Sequence, residues 1–232
     1  MNARDVKKYY DEDYHGAIHG NLLSDDDYYW ARAKAFHRLY FSDETNLDDL
    51  KVLDYGCGLG QASVCLRNAS GYDASLQARD FCRKRGMTVF DEPEDIPTAS
   101  FDVVICRHVL EHVPDPFETM LRIASYLKPS GRLKLILPKE RHGRVPLAPD
   151  QNLHLFSWNF RSINNLLSLT GFSAKKNLEL YHWGFSKLMP VRRWLGDEAY
   201  LAAAKLIGIS TRTAELYVEA EKTPPARGTS PA

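Results

Sequence analysis

Residues 51–61, "KVLDYGCGLGQ", limit the fold of this chain more than any other stretch. A short apolar run ends in Asp54 and Tyr55 and passes directly into glycines at alternate positions, Gly56, Gly58 and Gly60. Glycine tolerates positive φ and leaves the backbone bare enough for a ligand to lie against it. A strand followed by such a loop and then a helix puts unpaired N–H groups and a positive dipole end at the loop. In open α/β sheets, ligands bind beyond the carboxyl ends of the strands, where the strand order reverses. The stretch therefore predicts a site for a nucleotide-like ligand with a polar or anionic part.

The chain around it alternates. Strands are expected at 51–55, 70–73, 87–90, 101–107 and 132–138, with helices at 60–68, 75–86 and 116–131 between them. "FDVVICR" (101–107) is apolar without alternation, as in a strand covered on both faces. Pro116 suits a first helical turn, and Pro-Ser-Gly at 129–131 suits a stop. Strand–helix alternation of this kind builds βαβ units and a parallel sheet. Upstream, "DDYYWARAKAFHRLYF" (26–41) carries apolar residues at helical intervals and is expected to be a helix capped by Ser24 or one of Asp25–Asp27; 5–14 is a candidate second helix. Downstream, 157–172 reads as a helix capped by Ser157 and ended by Gly171. The segments 173–183 and 213–222 read as a pair of late strands. A short amphipathic helix is expected within 183–209, packed on the flank or touching lipid. The tail 223–232, "TPPARGTSPA", has the composition of a disordered end. There is no internal repeat.

Composition narrows the function. Lys+Arg and Asp+Glu are both 30, so formal net charge is zero. A nucleic-acid binder usually carries a basic excess or stripe, so no nucleic-acid partner is expected. No run approaches the ~20 apolar residues of a membrane span, and the first residues lack the apolar stretch of a signal peptide. Cys57, Cys65, Cys82 and Cys106 show no CxxC spacing and no zinc-like interval to His. They read as reduced thiols of a cytoplasmic protein, and no metal centre is expected.

Two ligand classes compete for the glycine loop. A dinucleotide loop requires G-x-G-x-x-G, and in the frame beginning at Gly56 the third glycine is replaced by Gln61. The observed pattern, D-x-G-x-G-x-G headed by Asp54, resembles motif I of class I S-adenosylmethionine (SAM) dependent methyltransferases. Three further motifs follow in order. "SGYDAS" (70–75) sets Asp73 at the end of the second strand, where a carboxylate accepts two O–H donors from a ribose diol; the rival role is a turn acid capping the helix near Ser75. "DEPEDIP" (91–97) is similar to the family's adenine loop, with Glu92 beside Pro93 at the acid position and Asp91 as alternative. "SFDVVICRHVLEHVPDP" (100–116), with "LRIASYLKPSGRLKLILP" after it, is close to the pattern of the large branch that contains ubiquinone-biosynthetic and polysaccharide-cluster enzymes. The resemblance runs from about 50 to 140 and recurs weakly at 154–172.

This resemblance implies a Rossmann-like, doubly wound fold: a mostly parallel seven-stranded sheet with helices on both faces and an antiparallel last strand. It divides the chain into an N-terminal helical lid segment (1–45), a methyltransferase domain (46–222) and the tail. It implies SAM as cosubstrate, held by Asp54, Gly56, Cys57, Gly58, Gly60, Gln61, Asp73, Ala74, Glu92, Pro93 and Arg107. The acceptor is then a small molecule, sugar-containing, lipid-linked or quinone-like, with O-methylation slightly favoured.

Methyl transfer from a sulfonium needs acceptor, carbon and sulfur nearly collinear. A hydroxyl acceptor must also lose its proton, which suits a neutral histidine of pKa ~6.5. The candidates are His154, in the loop after the fifth strand, and His108, at the carboxyl end of the fourth. Each has a structural rival role, as a packed ring or a pocket wall. Tyr14, His15 and His112 are candidate acceptor contacts; the rival role of His112 is a packing or loop-orienting ring, and that of Glu111 a helix-start acid. Two other functions remain open at this point: a SAM-binding sensor or partner subunit without transfer activity, and an NAD-dependent oxidoreductase.

Overall fold

The computed structural model describes residues 20–140 and 152–223. Helix α1 (Asp26–Phe41) begins where the Asp25 side chain accepts from the Tyr28 N–H, with Asp26 and Asp27 in the first turn, so one of the expected caps is the one used. Strands β1 (Val52–Tyr55) and β2 (Ala69–Tyr72), helix α2 (Leu76–Lys84), and strands β3 (Thr88–Phe90) and β4 (Phe101–Arg107) follow. Then come α3 (Pro116–Tyr126), β5 (Leu127–Pro138), α4 (Phe160–Leu169), β6 (Phe172–Tyr181), α5 (Met189–Thr211) and β7 (Ala214–Lys222).

The seven strands form one sheet in the order β3-β2-β1-β4-β5-β7-β6. β1 pairs in parallel with both β2 and β4. The chain thus moves outward from β1 to β3 and returns to the other side of β1, which places the order reversal at the β1–β4 boundary. β7 runs antiparallel to both of its neighbours, β5 and β6, as expected of the last strand. The two faces of the sheet carry separate cores. Val52, Val103, Ile105, Ile136 and Tyr217 pack against Tyr29, Phe36 and Tyr40 of α1 and Tyr200 and Ala204 of α5. Leu53, Val104, Leu135 and Val218 pack against Met120 and Ile123 of α3 and Ile163 and Leu167 of α4.

Four local expectations are corrected. Residues 60–68 do not form a helix. They close as turns, with Val64 N–H bonded to the Gly60 carbonyl and Leu66 N–H to the Ser63 carbonyl. The Ser63 hydroxyl is drawn inward to Asp54, a contact that this turn geometry serves. Helix α3 stops at Tyr126 rather than 131, because Pro129 disfavours helical geometry at the residue before it. Leu127 is already extended and pairs opposite Phe101. Helix α4 starts at Phe160 rather than after Ser157; Asn159 and Ser162 form a reciprocal cap. The 183–209 helix is longer than expected, 23 residues, and is broken at Gly196 (φ 83°, ψ −179°). Trp194, beside that break, is 87% exposed. Among the described residues, no helix is long and apolar enough to cross a membrane.

Candidate functional site

The glycine loop leaves β1 at the switch point. Gly56, Gly58 and Gly60 all have positive φ (76°, 50° and 75°). Gly56 has the strongest need for glycine: its φ is positive, and a Cβ there would lie 2.2 Å from Cγ2 of Val109, which would have to move. The loop is pinned to the end of β2, where Gly56 and Cys57 donate N–H bonds of 2.8 and 2.9 Å to the Tyr72 carbonyl. From the other side, the Tyr29 hydroxyl of α1 donates to the Leu59 carbonyl at 2.9 Å.

Asp73 ties the loop to α2. The Gly58 N–H donates to one carboxylate oxygen at 2.7 Å and the Ser75 N–H to the other at 2.9 Å. Ser75 is the N-cap of α2, so the turn role weighed for Asp73 is present. Each oxygen still has a lone pair for a further donor, since a carboxylate offers about four acceptor sites. Arg79 fixes the backbone beneath, donating to the carbonyls of Asp73 and Ala74 at 2.7 and 3.0 Å. The Gln61 side-chain nitrogen is buried without a hydrogen-bond partner. Bare glycine backbone, a carboxylate with spare acceptor capacity and an unsatisfied amide donor fit an adenosyl ligand with hydroxyl and carboxylate groups.

Asp54 lies behind the loop, 1% exposed, and accepts from the Ser63 hydroxyl at 2.6 Å. Burial pushes its pKa up to about 7; the Ser63 bond opposes this and the Asp73 charge adds to it. A folded-state pKa above the unfolded value of ~3.9 means that the folded chain binds the extra proton between pH ~4 and ~7, so stability falls as pH rises through that window. Asp54→Asn removes this dependence. Across the window the variant should gain on the order of 4 kcal/mol relative to wild type, at 1.36 kcal/mol per unit. Denaturant titrations at acid and neutral pH measure it; parallel pH profiles would rule it out.

Glu92 and Pro93 lie at the carboxyl end of β3, where Glu92 caps the 3-10 turn Pro93–Asp95. The alternative acid, Asp91, is paired with Arg83 at 2.7 Å. Arg107 is engaged on another path. Its guanidinium donates to Glu215 of β7 at 2.6 Å and to the Tyr40 hydroxyl at 2.9 Å. Tyr40 in turn donates to Glu215 at 2.6 Å, and His182 lies 3.0 Å from the same carboxylate. Sequence reading missed Glu215; its one signal is an acid within the otherwise apolar start of "AELYV".

His108 has φ +54° and ends β4 with a sharp bend. Both ring nitrogens face carboxylates: Nε2 is 2.8 Å from Glu215 and Nδ1 is 3.4 Å from Glu111. Burial, reinforced by Arg107, pushes its pKa down to about 4. Glu111 begins no helix. It is fully buried and neither carboxylate oxygen has a hydrogen-bond partner; burial raises its pKa to about 8. Its backbone carbonyl accepts from the Leu155 N–H at 2.7 Å, which brings the 152–156 loop alongside. His154 thereby stacks edge-on against His112, ring centroids 4.9 Å apart, and its Nδ1 is 2.7 Å from Glu140. His112 is held near a pKa of about 4, first by burial and then by His154. The structure therefore joins His108, Glu111, His112 and His154 at the rim where β4 and β5 end. Tyr14 and His15 lie outside the described residues.

Residues 22–177 match the model of a family described as a methyltransferase domain. The chain belongs to that family and has the class I SAM-dependent methyltransferase fold. The ubiquinone biosynthesis O-methyltransferase of Methylococcus capsulatus (strain Bath) is 33% identical over 106 residues, covering 40% of this chain and 45% of that protein. The chain thus matches about half the length of such curated relatives. Among solved structures, the magnesium protoporphyrin IX methyltransferase of Synechocystis PCC 6803 with bound SAM superposes with a TM-score of 0.61 at 18% identity, over 96% of this chain and 98% of that one. The 4+2 cyclase SpnF superposes at 0.59 and 17% identity, over 83% and 81%. The same architecture therefore serves more than one reaction, and these two likenesses establish the fold alone.

Proposed function

We propose that the protein transfers a methyl group from SAM to a hydroxyl of a small-molecule acceptor. The observation that carries this reading is the Asp73 carboxylate, anchored by Gly58 and Ser75 and still able to accept from a ribose diol, beside a loop that excludes side chains. Gln61 in place of a third glycine weighs against a dinucleotide. The roughly 30% identity to ubiquinone O-methyltransferases favours oxygen as the acceptor atom and a quinone-like or lipid-linked acceptor; the exposed Trp194 supplies apolar surface for peripheral lipid contact. In the reaction the acceptor oxygen attacks the methyl carbon, the carbon–sulfur bond breaks, and its electron pair remains on sulfur to give S-adenosylhomocysteine. A dry site favours this loss of charge on sulfur.

His154 is the residue we assign to activating the hydroxyl. Glu140 orients its ring through Nδ1, which leaves Nε2 directed away from that bond, the arrangement of an activated histidine. His108, with carboxylates at both nitrogens, is a wall of the site. In the N-terminal segment 1–45, α1 supports the glycine loop, and the lid role falls to the residues ahead of it, with Tyr14 and His15.

The test is SAM-to-S-adenosylhomocysteine turnover over hydroxylated quinone, sugar and lipid acceptors. His154→Ala should lower turnover about 10²–10⁴-fold, the usual contribution of acid–base assistance, with SAM affinity unchanged. Full turnover in that variant would remove His154 from the mechanism. SAM binding with no product across the whole panel would favour a non-transferring SAM protein, the reading that the cyclase likeness keeps in view.

A further inference from the structure

We infer that Glu111, His112 and His154 form a site for one divalent transition-metal cation, which receives the acceptor's hydroxyl; the inference rests on the assignment of His154 to acceptor activation, and with the ion bound that activation runs through the cation, because Nε2 is then a ligand and not a base. One potential ligand atom from each of these three residues lies within 4.8 Å of the others, close enough for small side-chain adjustments to bring them around one ion. Independent support comes from Glu111. A fully buried carboxyl with no hydrogen-bond partner on either oxygen is costly, and the His108 Nδ1 at 3.4 Å and the His112 Nε2 at 3.8 Å lie beside it. A cation would satisfy it.

Both histidines are already oriented as ligands. The Nδ1–H of His154 donates to Glu140, which fixes the lone pair on Nε2 and makes the ring a better donor; a carboxylate behind a ligating histidine is the usual outer-shell arrangement. His112 is held by backbone hydrogen bonds to Asn152 and Leu153 while its Nε2 faces Glu111. The Leu155 and Phe156 N–H groups clamp the Glu111 carbonyl and hold the loop in register. Two imidazoles and one carboxylate suit Mn, Fe, Co or Zn rather than Mg or Ca. Such a set leaves positions open for the acceptor, and a bound cation lowers the pKa of a hydroxyl that it ligates. The two neighbours in sequence and the third 42 positions away form no recognisable spacing, which is why no metal was expected from the sequence.

The full chain, stripped with a chelator, should take up one equivalent of Co²⁺ with a visible d–d band that Zn²⁺ displaces. Glu111→Gln, which keeps size and removes charge, and His154→Ala, at a partly exposed ring, should both abolish the band. Glu140→Gln should weaken uptake about 10–100-fold. Retained SAM binding by calorimetry shows that each variant is folded. No uptake by a SAM-binding wild type, or uptake unchanged in both ligand variants, overturns the site. Stripped protein that turns over at the loaded rate overturns the role in acceptor activation and leaves methyl transfer standing. Absence of SAM binding in the wild type instead removes the methyltransferase reading itself.

Discussion

Asp73→Ala should weaken SAM binding by at least about a hundredfold, the largest effect expected of any single substitution at the cosubstrate site. The carboxylate accepts from the Gly58 and Ser75 N–H groups. Removing it leaves two backbone donors without their partner, loosens the tie between the loop and α2, and takes away the acceptor for the ribose hydroxyls. Hydrogen bonds to a charged group contribute about 1.5–3 kcal/mol each, and every 1.4 kcal/mol is tenfold in affinity; loss of the ribose pair alone reaches a hundredfold. Asp73→Asn should fall between, because one amide oxygen can still accept from Gly58 while its NH₂ opposes the Ser75 N–H. Calorimetric titration of SAM and S-adenosylhomocysteine measures both variants. If Asp73→Ala binds SAM as the wild type does, Asp73 serves only the turn and the cap.

What could be read in advance follows from the range over which each signal acts. The strand–helix alternation and the glycine loop are local patterns, and they placed β1, β2, α2, β4 and the late strand pair within a few residues. The 60–68 helix failed because the inward pull of Ser63 on Asp54 is a contact to a different element, which the Ala-Ser-Val-Cys pattern does not carry. The acceptor side was less legible. His154 and His112 were each visible as histidines near strand ends, yet nothing in the 41 intervening residues fixes them 4.9 Å apart; the Glu111 carbonyl bonded to Leu155 does that. Arg107 showed the same limit in reverse. It was expected to hold the cosubstrate, but its partner is an acid 108 positions later, brought adjacent only because β7 inserts between β5 and β6.

That partner gives the second large effect. Glu215→Gln should destabilise the protein by about 3–5 kcal/mol, the usual consequence of breaking a buried ion pair from one side. The carboxylate is 4% exposed and faces Arg107, His108, His182 and Tyr40. Glutamine keeps the shape but leaves the Arg107 guanidinium without a counter-charge, and its NH₂ group faces other donors. For a chain of this size each kcal/mol is about 2–4 °C in melting temperature, so a fall of roughly 10 °C is expected. Arg107 and the histidine bonds hold the Glu215 pKa well below the usual carboxylate range, against burial, which raises it. A depressed folded-state pKa gives stability that is present above the unfolded value, about 4.3, and lost as pH falls through the folded value. The gap between wild type and Glu215→Gln should therefore be full at neutral pH and close on acidification. The double variant Arg107→Met, Glu215→Gln should recover part of the loss, since it no longer buries an unpaired guanidinium. A single variant as stable as wild type at neutral pH would show that Arg107 finds its counter-charge elsewhere. The same variant reports on the acceptor side, because His108 loses one of the two carboxylates that fix its ring: if His108 only walls the site, turnover by the fraction that remains folded should persist with SAM affinity unchanged.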